Sequence, residues 1–364
     1  MNSSDPLLQP FTLKHLTLKN RIISTSHEPA YSEDGLPKTR YRLYHEEKAK
    51  GGLALTMFGG GTLVAPDAAP AYGNLYAGDD RIVPYFRTLA EAVHRHGAAT
   101  MCQITHLGRR TSSYAGHWLP AIAPSSIREP AHRAFPKAME DWDIRRVVRS
   151  YGAAAIRCRE GDLDGIEVEA YGHLFDSFWS PALNHRADRY GGSLENRMRF
   201  GIEVLQEIRR QVGDDYIVGI RMVFDEMLDG GLAFDEGMKI GEILTNSGLI
   251  DFISVIRGHI ETSAGLADVI PNMGTPGAPY LAFAGEIKQA FDLPVMHAAR
   301  INDVATARYA VREGLLDLVG MTRAHLADPH IVAKIIRGEE DQVRPCVGAG
   351  YCIDRIYGEG EALC

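Results

Sequence analysis

Short apolar runs of strand length alternate along this chain with longer stretches of helical spacing. The alternation is clearest near the end, in LPVMHAARINDVATARYAVREGLLDLVGMTRAHLADP (Leu293 to Pro329). There Pro294 to Ala299 and Leu316 to Met321 are apolar and strand-length. Asp303 to Gly314, between them, has helical spacing and a glycine stop. The same unit recurs upstream, with strands predicted at Arg21 to Thr25, Leu53 to Phe58, Ala99 to Thr105, Gly165 to Ala170, Ile217 to Val223 and Phe252 to Ile256, eight in all. Helical patterns at Pro84 to His96, Asp143 to Glu160, Arg197 to Val212 and Asp235 to Asn246 complete a βα alternation. A closed (β/α)8 barrel, the TIM barrel, is the natural α/β solution. An open doubly wound sheet would usually carry a glycine-rich fingerprint after its first strand, and STSHEPAYSE (Ser24 to Glu33) has none.

A barrel of this kind needs about 250 residues, so a chain of 364 must carry its surplus outside the barrel. Long loops are expected after the third strand (His106 to Asp141), the fourth (Tyr171 to Asn196) and the sixth (Arg257 to Pro279). Residues 1–335 are assigned to the barrel and 336–364 to a cysteine-containing tail. The formal charge of -8 and the lack of any separate basic run exclude a nucleic-acid surface. No run of about 18 apolar residues is present, and MNSSDPLLQPF lacks a basic region followed by an apolar core, so no membrane partner and a cytoplasmic location are expected. Cys102 and Cys158 fall inside apolar patterns as core filling. Cys346, Cys352 and Cys364 cluster in the tail, where an odd number of thiols suggests a metal or cluster site before disulfides, with unrelated free thiols as the alternative.

Barrel active sites are built from the carboxyl ends of the strands. Here those ends carry Ser26, His27 and Glu28 (first strand), Gln103 and His106 (third), Glu169, Tyr171 and His173 (fourth), Arg221 (fifth), and Arg257 and His259 (sixth). Each alone could be a solvated rim residue; with Arg300 and Arg323 after the seventh and eighth strands, their concentration at seven of eight strands points to a site. Arg221, in GIRM, places a guanidinium inside an apolar strand and needs an anion, either a structural carboxylate or a ligand. Gln103 offers an amide that can donate and accept along the edge of a heterocycle. Arg300 and Arg323 leave the seventh and eighth strands, where barrels commonly bind a phosphate.

These residues, with LLQPFTLKHLTLKNRI at the start, SPALNHRADRYGGSLENRMRF at 180–200 and GMTRAHLADP at 320–329, resemble the flavin barrels of the old yellow enzyme family, in the class of trimethylamine dehydrogenase and 2,4-dienoyl-CoA reductase. The resemblance implies non-covalent FMN. Gln103 would meet the pyrimidine ring and Arg221 its N1 and C2 carbonyl, with Ser24, Thr25, Ser26 and Gly59 beside the ring. Ala299, Arg300, Gly320, Met321 and Arg323 would surround the phosphate. Glu28 stands where a covalent relative has its flavin-bonding cysteine. The same class carries a four-cysteine [4Fe-4S] motif after the barrel; Cys346, Cys352 and Cys364 match three of its ligands, and Ala349 takes the place of the remaining one. Such relatives continue into further flavin and nucleotide domains, so a longer parent chain is expected.

Ene reductases of the family hold a carbonyl oxygen with a His/Asn or His/His pair and protonate the alkene with a tyrosine. Here VEAYGHL is one residue shorter, and puts Glu169 near the first pair member, Tyr171 near the second and His173 in the tyrosine's place. A carboxylate there would repel an enolate and attract an ammonium group. EVEAYGHL, SHEPAY and CVGAGYCIDRIY are similar to demethylases of N-methylated amino acids such as dimethylglycine or N-methylproline. The resemblance therefore implies oxidative N-demethylation of an N-methylated amino acid or related secondary or tertiary amine. Hydride passes to flavin N5, formaldehyde is released, and an electron-transfer protein or attached flavin domain accepts the electrons. Glu169, Tyr171, His173 and His259 are the candidate catalytic residues, and His27, Glu28, Trp179 and Arg257 the candidate substrate ligands. Arg257 serves either a substrate carboxylate or a rim salt bridge. Phe58, Trp179, Tyr280 and Tyr357 could cage a methylated nitrogen or simply pack. A homo-oligomer is expected. The alternative activities are NAD(P)H-driven reduction of an enone or 2-enoyl thioester, and a purely electron-transferring flavin subunit.

Overall fold

The computed structural model describes residues 4–68, 73–111, 119–131, 133–358 and 360–364. Eight parallel strands close a barrel in strict chain order: β1 (Ile22–Ser24), β2 (Leu55–Leu63), β3 (Ala99–Thr105), β4 (Gly165–Ala170), β5 (Ile217–Val223), β6 (Phe252–Ile256), β7 (Val295–His297) and β8 (Leu318–Gly320), with β8 returning to pair with β1. The expected fold is therefore the observed one. β3 to β6 have the boundaries read from the sequence, whereas β1, β7 and β8 are shorter. β2 runs on through Gly59, Gly60 and Gly61, with a register shift against β3 between Phe58 and Thr62.

Between the strands lie α1 (Thr39–Lys50), α2 (Val83–His94), α3 (Asp141–Glu160), α4 (Leu194–Val212), α5 (Phe234–Asn246), α6 (Leu281–Ala290) and α7 (Val304–Arg312). A short turn of helix, Thr322–Ala327, and α8 (Ile331–Arg337) follow β8. The long loops after β3, β4 and β6 are where they were expected, the last two holding short helices Leu174–Ser177 and Ser263–Val269. The tail adds a helix, Tyr351–Tyr357. Among the described residues no helix is long and apolar enough to cross a membrane.

Strand alternation sorts the barrel interior into an apolar floor and a polar top, because residues two apart share a face. Met101 and Gln103 lie on one face of β3, Ile217 and Arg221 on one face of β5, and Phe252 and Ser254 on one face of β6. The floor is a buried cluster containing Ile23, Leu55, Met57, Met101, Ile217, Phe252, Met296 and Leu318, sealed by Leu13 and Leu18 of an N-terminal hairpin (Phe11–Leu13 with Leu16–Leu18). Gly219 is required within it, since a Cβ there would fall on the Phe252 ring. With the amino end plugged, only the carboxyl end is left to hold a ligand.

Candidate active site

A cavity opens at that carboxyl end. Thr25, Ser26, His27 and Glu28 line it from β1, Gly60 from β2 and Gln103 from β3. Glu169, Tyr171 and His173 line it from β4, and Arg221, Ser254, Arg257 and Tyr280 from β5, β6 and the loops beyond. His297, Ala298, Ala299, Thr322 and Arg323 close it from β7 and β8, and Ile353, Ile356 and Tyr357 of the tail helix cover it.

At the polar top of the barrel the groups interlock. Gln103 accepts from the Gly61 N–H through Oε1 (3.1 Å) and donates through Nε2 to Glu167 Oε1 (2.7 Å), so its amide orientation is fixed. Arg221 Nη1 donates to the Ser26 carbonyl (2.9 Å), and its Nε lies 3.2 Å from Ser254 Oγ and 3.3 Å from Glu167 Oε1. Of the two anions open to Arg221 on sequence grounds, a structural carboxylate is present, and it is fully buried Glu167. Sequence reasoning missed Glu167, although the signal that exposed Arg221, a charge inside an apolar strand, also occurs in GIEVEA. His297 was missed as well. Its Nδ1 lies 2.9 Å from the Val255 carbonyl, which can only accept, so Nδ1 carries the hydrogen and Nε2 is a bare acceptor in the cavity wall. Burial pulls its pKa down to about 4.

Beyond β7 the backbone turns left-handed at two successive non-glycine residues, Ala299 (φ 66) and Arg300 (φ 62), a strain of about 1–3 kcal/mol at each. Arg300 and Arg323 each bury an Nη1 that meets no protein acceptor. Gly320 admits the close approach of neighbours: a Cβ there would lie 2.6 Å from Thr25 Cγ2 and 2.9 Å from Ala298 Cβ. Two unsatisfied guanidinium donors at the ends of β7 and β8 fit a phosphorylated ligand, and the Gln103–Arg221 edge fits a heterocycle that gathers negative charge. The residues present thus fit FMN.

A further part of the cavity wall is formed by β4 and the turn that follows it. Glu169 Oε2 and His173 Nδ1 approach to 3.0 Å without the direction of a good hydrogen bond, so both of these buried atoms keep capacity for a ligand. The Tyr171 phenol is raised by burial and then by the Glu169 charge, and stays protonated. Asp176 accepts from the Gly172 and His173 N–H groups and thereby holds the turn that carries both rings. Glu28 spends Oε1 on the Ala30 N–H (2.8 Å) and leaves Oε2 unpartnered; burial pushes its carboxyl well above the usual range and so favours its neutral form. Arg257 forks Nε and Nη2 onto Asp225 Oδ2 (3.1 and 3.0 Å) and stacks over Phe283 and Tyr280. The rim salt bridge is therefore made, with Nη1 left without a protein partner among the described residues.

Several expected residues lie elsewhere. His259 is outside the cavity lining; its Nδ1 accepts from the Glu261 N–H, and its neighbour Ile260 lines the wall instead. Trp179 is fully buried against Phe175 and α4, and Phe58 packs on Phe86, so neither cages a ligand. Tyr171, Tyr280 and Tyr357 are the aromatic residues in the wall. In β2 it is Gly60, not Gly59, that faces the cavity, because Gly59 turns its N–H to the Tyr41 hydroxyl. Ser24, Arg300, Gly320 and Met321 are not part of the cavity lining, whereas Ala299 and Arg323 are. Ser24 meets the Nζ of Lys48 (3.2 Å), a fully buried lysine that also lies 3.2 Å from His27 Nε2 and 3.9 Å above the Tyr44 ring. His27 engages both ring nitrogens, Nδ1 with the Thr25 carbonyl and Nε2 with Tyr44 and Lys48, which leaves only its ring surface for a substrate.

The tail thiols do not form a cluster site. Cys346 and Cys352 lie close enough to Arg323 and to each other to interact electrostatically, whereas Cys364 is exposed. Among the described residues no three His, Cys, Asp or Glu side chains gather to hold a metal. With Ala349 where a fourth ligand would stand, the set is too small and too dispersed for thiolate ligation of each iron.

Residues 6–342 match the model of the NADH:flavin oxidoreductase / NADH oxidase family. The chain is 56% identical over 361 residues to a probable N-methylproline demethylase of Rhizobium meliloti (strain 1021), covering 99% of this chain and 53% of that one. It is 55% identical over 351 residues to a multifunctional alkene reductase/demethylase of Caballeronia cordobensis, covering 96% and 52%. The solved histamine dehydrogenase from Rhizobium sp. 4-9 superimposes with a TM-score of 0.88 at 25% identity, over 99% of this chain and 52% of that one. The chain thus spans about half the length of the relatives it matches. It belongs to the NADH:flavin oxidoreductase / NADH oxidase family.

Proposed function

We propose, taking membership of that family as the premise, that this chain is the FMN-binding catalytic barrel of an oxidative demethylase acting on an N-methylated amino acid or related secondary or tertiary amine. The observation that carries the reading is Glu169: a buried side chain in the cavity wall whose Oε2 has no directed partner, at a place where an enone reductase would need a neutral donor. Such a carboxylate favours a cationic nitrogen over a developing enolate. Tyr171, Tyr280 and Tyr357 offer π faces to a methylated nitrogen.

When bound, FMN supplies the hydride acceptor, at N5. The protein's part is to bind the amine against Glu169, remove its proton and hold the N-methyl carbon in place. Loss of hydride from that carbon needs the nitrogen lone pair, so a tertiary or secondary amine can react and a quaternary one can only bind. His173, with both ring nitrogens unpartnered and Glu169 beside it, is placed to take the ammonium proton. Tyr171, as a phenol, donates a hydrogen bond and helps to orient the substrate. The resulting iminium hydrolyses to formaldehyde and the demethylated amine. Arg257 Nη1 is the available donor for a substrate carboxylate, weakened for that purpose by Asp225. Electrons then pass to an electron-transfer protein or to a further flavin domain of a longer chain, with the barrel acting in the cytoplasm as part of a homo-oligomer.

A second reading, reduction of an activated alkene, is favoured by the paired activities in the name of the Caballeronia cordobensis relative. One anaerobic experiment separates the two. Purified oxidised protein is mixed with N-methylproline, dimethylglycine or trimethylamine, and flavin absorbance and formaldehyde are followed. Bleaching with stoichiometric formaldehyde is expected. No bleaching by any amine, together with NAD(P)H-driven reduction of an enone, overturns the proposal in favour of the alkene reductase.

A further inference from the structure

We infer that Glu167 is a positioning residue that sets the reduction potential of the bound flavin, by holding a counter-charge against Arg221 and fixing the donor–acceptor sense of Gln103. The inference rests on the reading that FMN presents its pyrimidine edge to these two side chains. Glu167 lies in the middle of β4, paired across the ladder with Gln103 of β3 on one side and Gly219 of β5 on the other. It is fully buried, and one oxygen serves two neighbours: Oε1 accepts from Gln103 Nε2 at 2.7 Å and lies 3.3 Å from Arg221 Nε. Oε2 has no hydrogen-bond partner.

That arrangement has two consequences for a ligand above it. With Nε2 drawn to Glu167 and Oε1 to the Gly61 N–H, Gln103 cannot flip its amide. It therefore presents a fixed pattern of donor and acceptor to a heterocycle edge. The second consequence is electrostatic. An isolated guanidinium at the flavin's N1 and C2 carbonyl would strongly favour the reduced, negatively charged ring, and a carboxylate 3.3 Å from it cancels part of that field. A buried carboxyl with an unsatisfied oxygen is expensive to maintain for packing alone, because an apolar residue of similar size would fill β4 without that penalty. Burial raises its pKa, and the Arg221 charge and the hydrogen bonds of Gln103 and Ser254 oppose that rise, so the three neighbours that define the ligand-facing edge are also the groups that favour the ionised form of Glu167.

Glu167→Gln isolates the charge. An amide oxygen in the Oε1 position keeps both contacts, and the amide nitrogen falls where Oε2 is now unpartnered. The full chain is purified with FMN, and the midpoint potential is measured by reductive titration alongside FMN content and thermal unfolding. The variant is expected to favour reduced over oxidised flavin at least tenfold more than the parent, a rise of about 30 mV for a two-electron couple. Arg221→Met should move the potential the other way. Glu167→Asp, which withdraws the carboxylate but keeps its charge, should give a smaller rise, and it carries the test alone if Glu167→Gln does not fold. A merely structural Glu167 would shift the unfolding temperature and leave the potential in place. FMN-replete variants with an unmoved potential overturn this inference and leave the cofactor reading intact. A parent chain that neither purifies with FMN nor takes it up defeats the cofactor reading itself.

Discussion

A guanidinium nitrogen buried without an acceptor is a standing cost to the folded chain, and Arg300 and Arg323 each carry one at the ends of β7 and β8. Burial already depresses the Arg323 pKa. A phosphate would offset that cost, and hydrogen bonds to charged groups contribute about 1.5–3 kcal/mol each. Replacing Arg323 with Met should therefore raise the FMN dissociation constant roughly ten- to hundredfold, read by quenching of free-flavin fluorescence on reconstitution, while the flavin-free variant is no less stable than the flavin-free parent. Retention of parent-like affinity would remove Arg323 from the phosphate site. At the substrate end, Glu169→Gln removes the charge and keeps the shape. It should lower kcat/KM for the amine at least tenfold, about 1.4 kcal/mol or more, with little effect on enone reduction; equal losses for both substrates would mean that the carboxylate does not discriminate between them. Spacing alone located the two arginines, because strand ends in a barrel have a known use. Glu167 carried the same signal as Arg221, a charge inside an apolar strand, but its role depends on partners on neighbouring strands, and His297, a neutral ring at the end of a short strand, gains its meaning only from such a partner.

The elements show what made the fold readable and where that reading stopped. β3 to β6 were legible to the residue because their apolar runs end at polar or turn-forming positions. β2 was cut short in the sequence reading at Phe58, since three consecutive glycines look like a stop, yet the strand continues through them to Leu63. α1 is implied by the βα alternation but was not among the helical patterns named from the sequence: its buried face contains Tyr41, His45, Glu46, Lys48 and Ala49, so no apolar stripe marks it. Both features serve the site. Gly60 lets β2 press against the backbone of His27 and Glu28, where a Cβ would collide with main-chain atoms that cannot move independently. Gly60→Ala should thus push the β1 end out of place, lowering stability by about 1–3 kcal/mol and cutting FMN content. Denaturant melts and the flavin-to-protein absorbance ratio check this, and a variant with full flavin occupancy and unchanged stability would show that the β1 end is free to yield.

For the whole molecule the buried titratable groups oppose one another. His27, His45, His297 and His325 are held neutral by burial, the last two with pKa values near 4. An unfolded chain would protonate them below about 6.5, so their contribution is lost as pH falls from there toward 4. Glu28, Glu167, Asp176 and Glu226 are shifted upward, Asp176 to about 6 and Glu226 to about 7. In the folded state they hold protons that the unfolded state has released, so their contribution is present at low pH and lost as pH rises through about 4 to 7. The two slopes overlap and oppose each other, and the chain's stability should vary little between about pH 4.5 and 6.5. Removing one member exposes the balance. Glu226 is buried, shifted mainly by desolvation, and accepts from Ser180 Oγ and the Leu232 N–H. Glu226→Gln cannot ionise, so relative to the parent it should gain on the order of 3 kcal/mol between pH 5 and pH 8, and its own stability should fall more steeply on the acid side. Urea unfolding of both proteins at the two pH values measures the difference. A gap that does not change with pH would mean that Glu226 titrates in the folded chain as it does in the unfolded one, and that the flat profile has another origin.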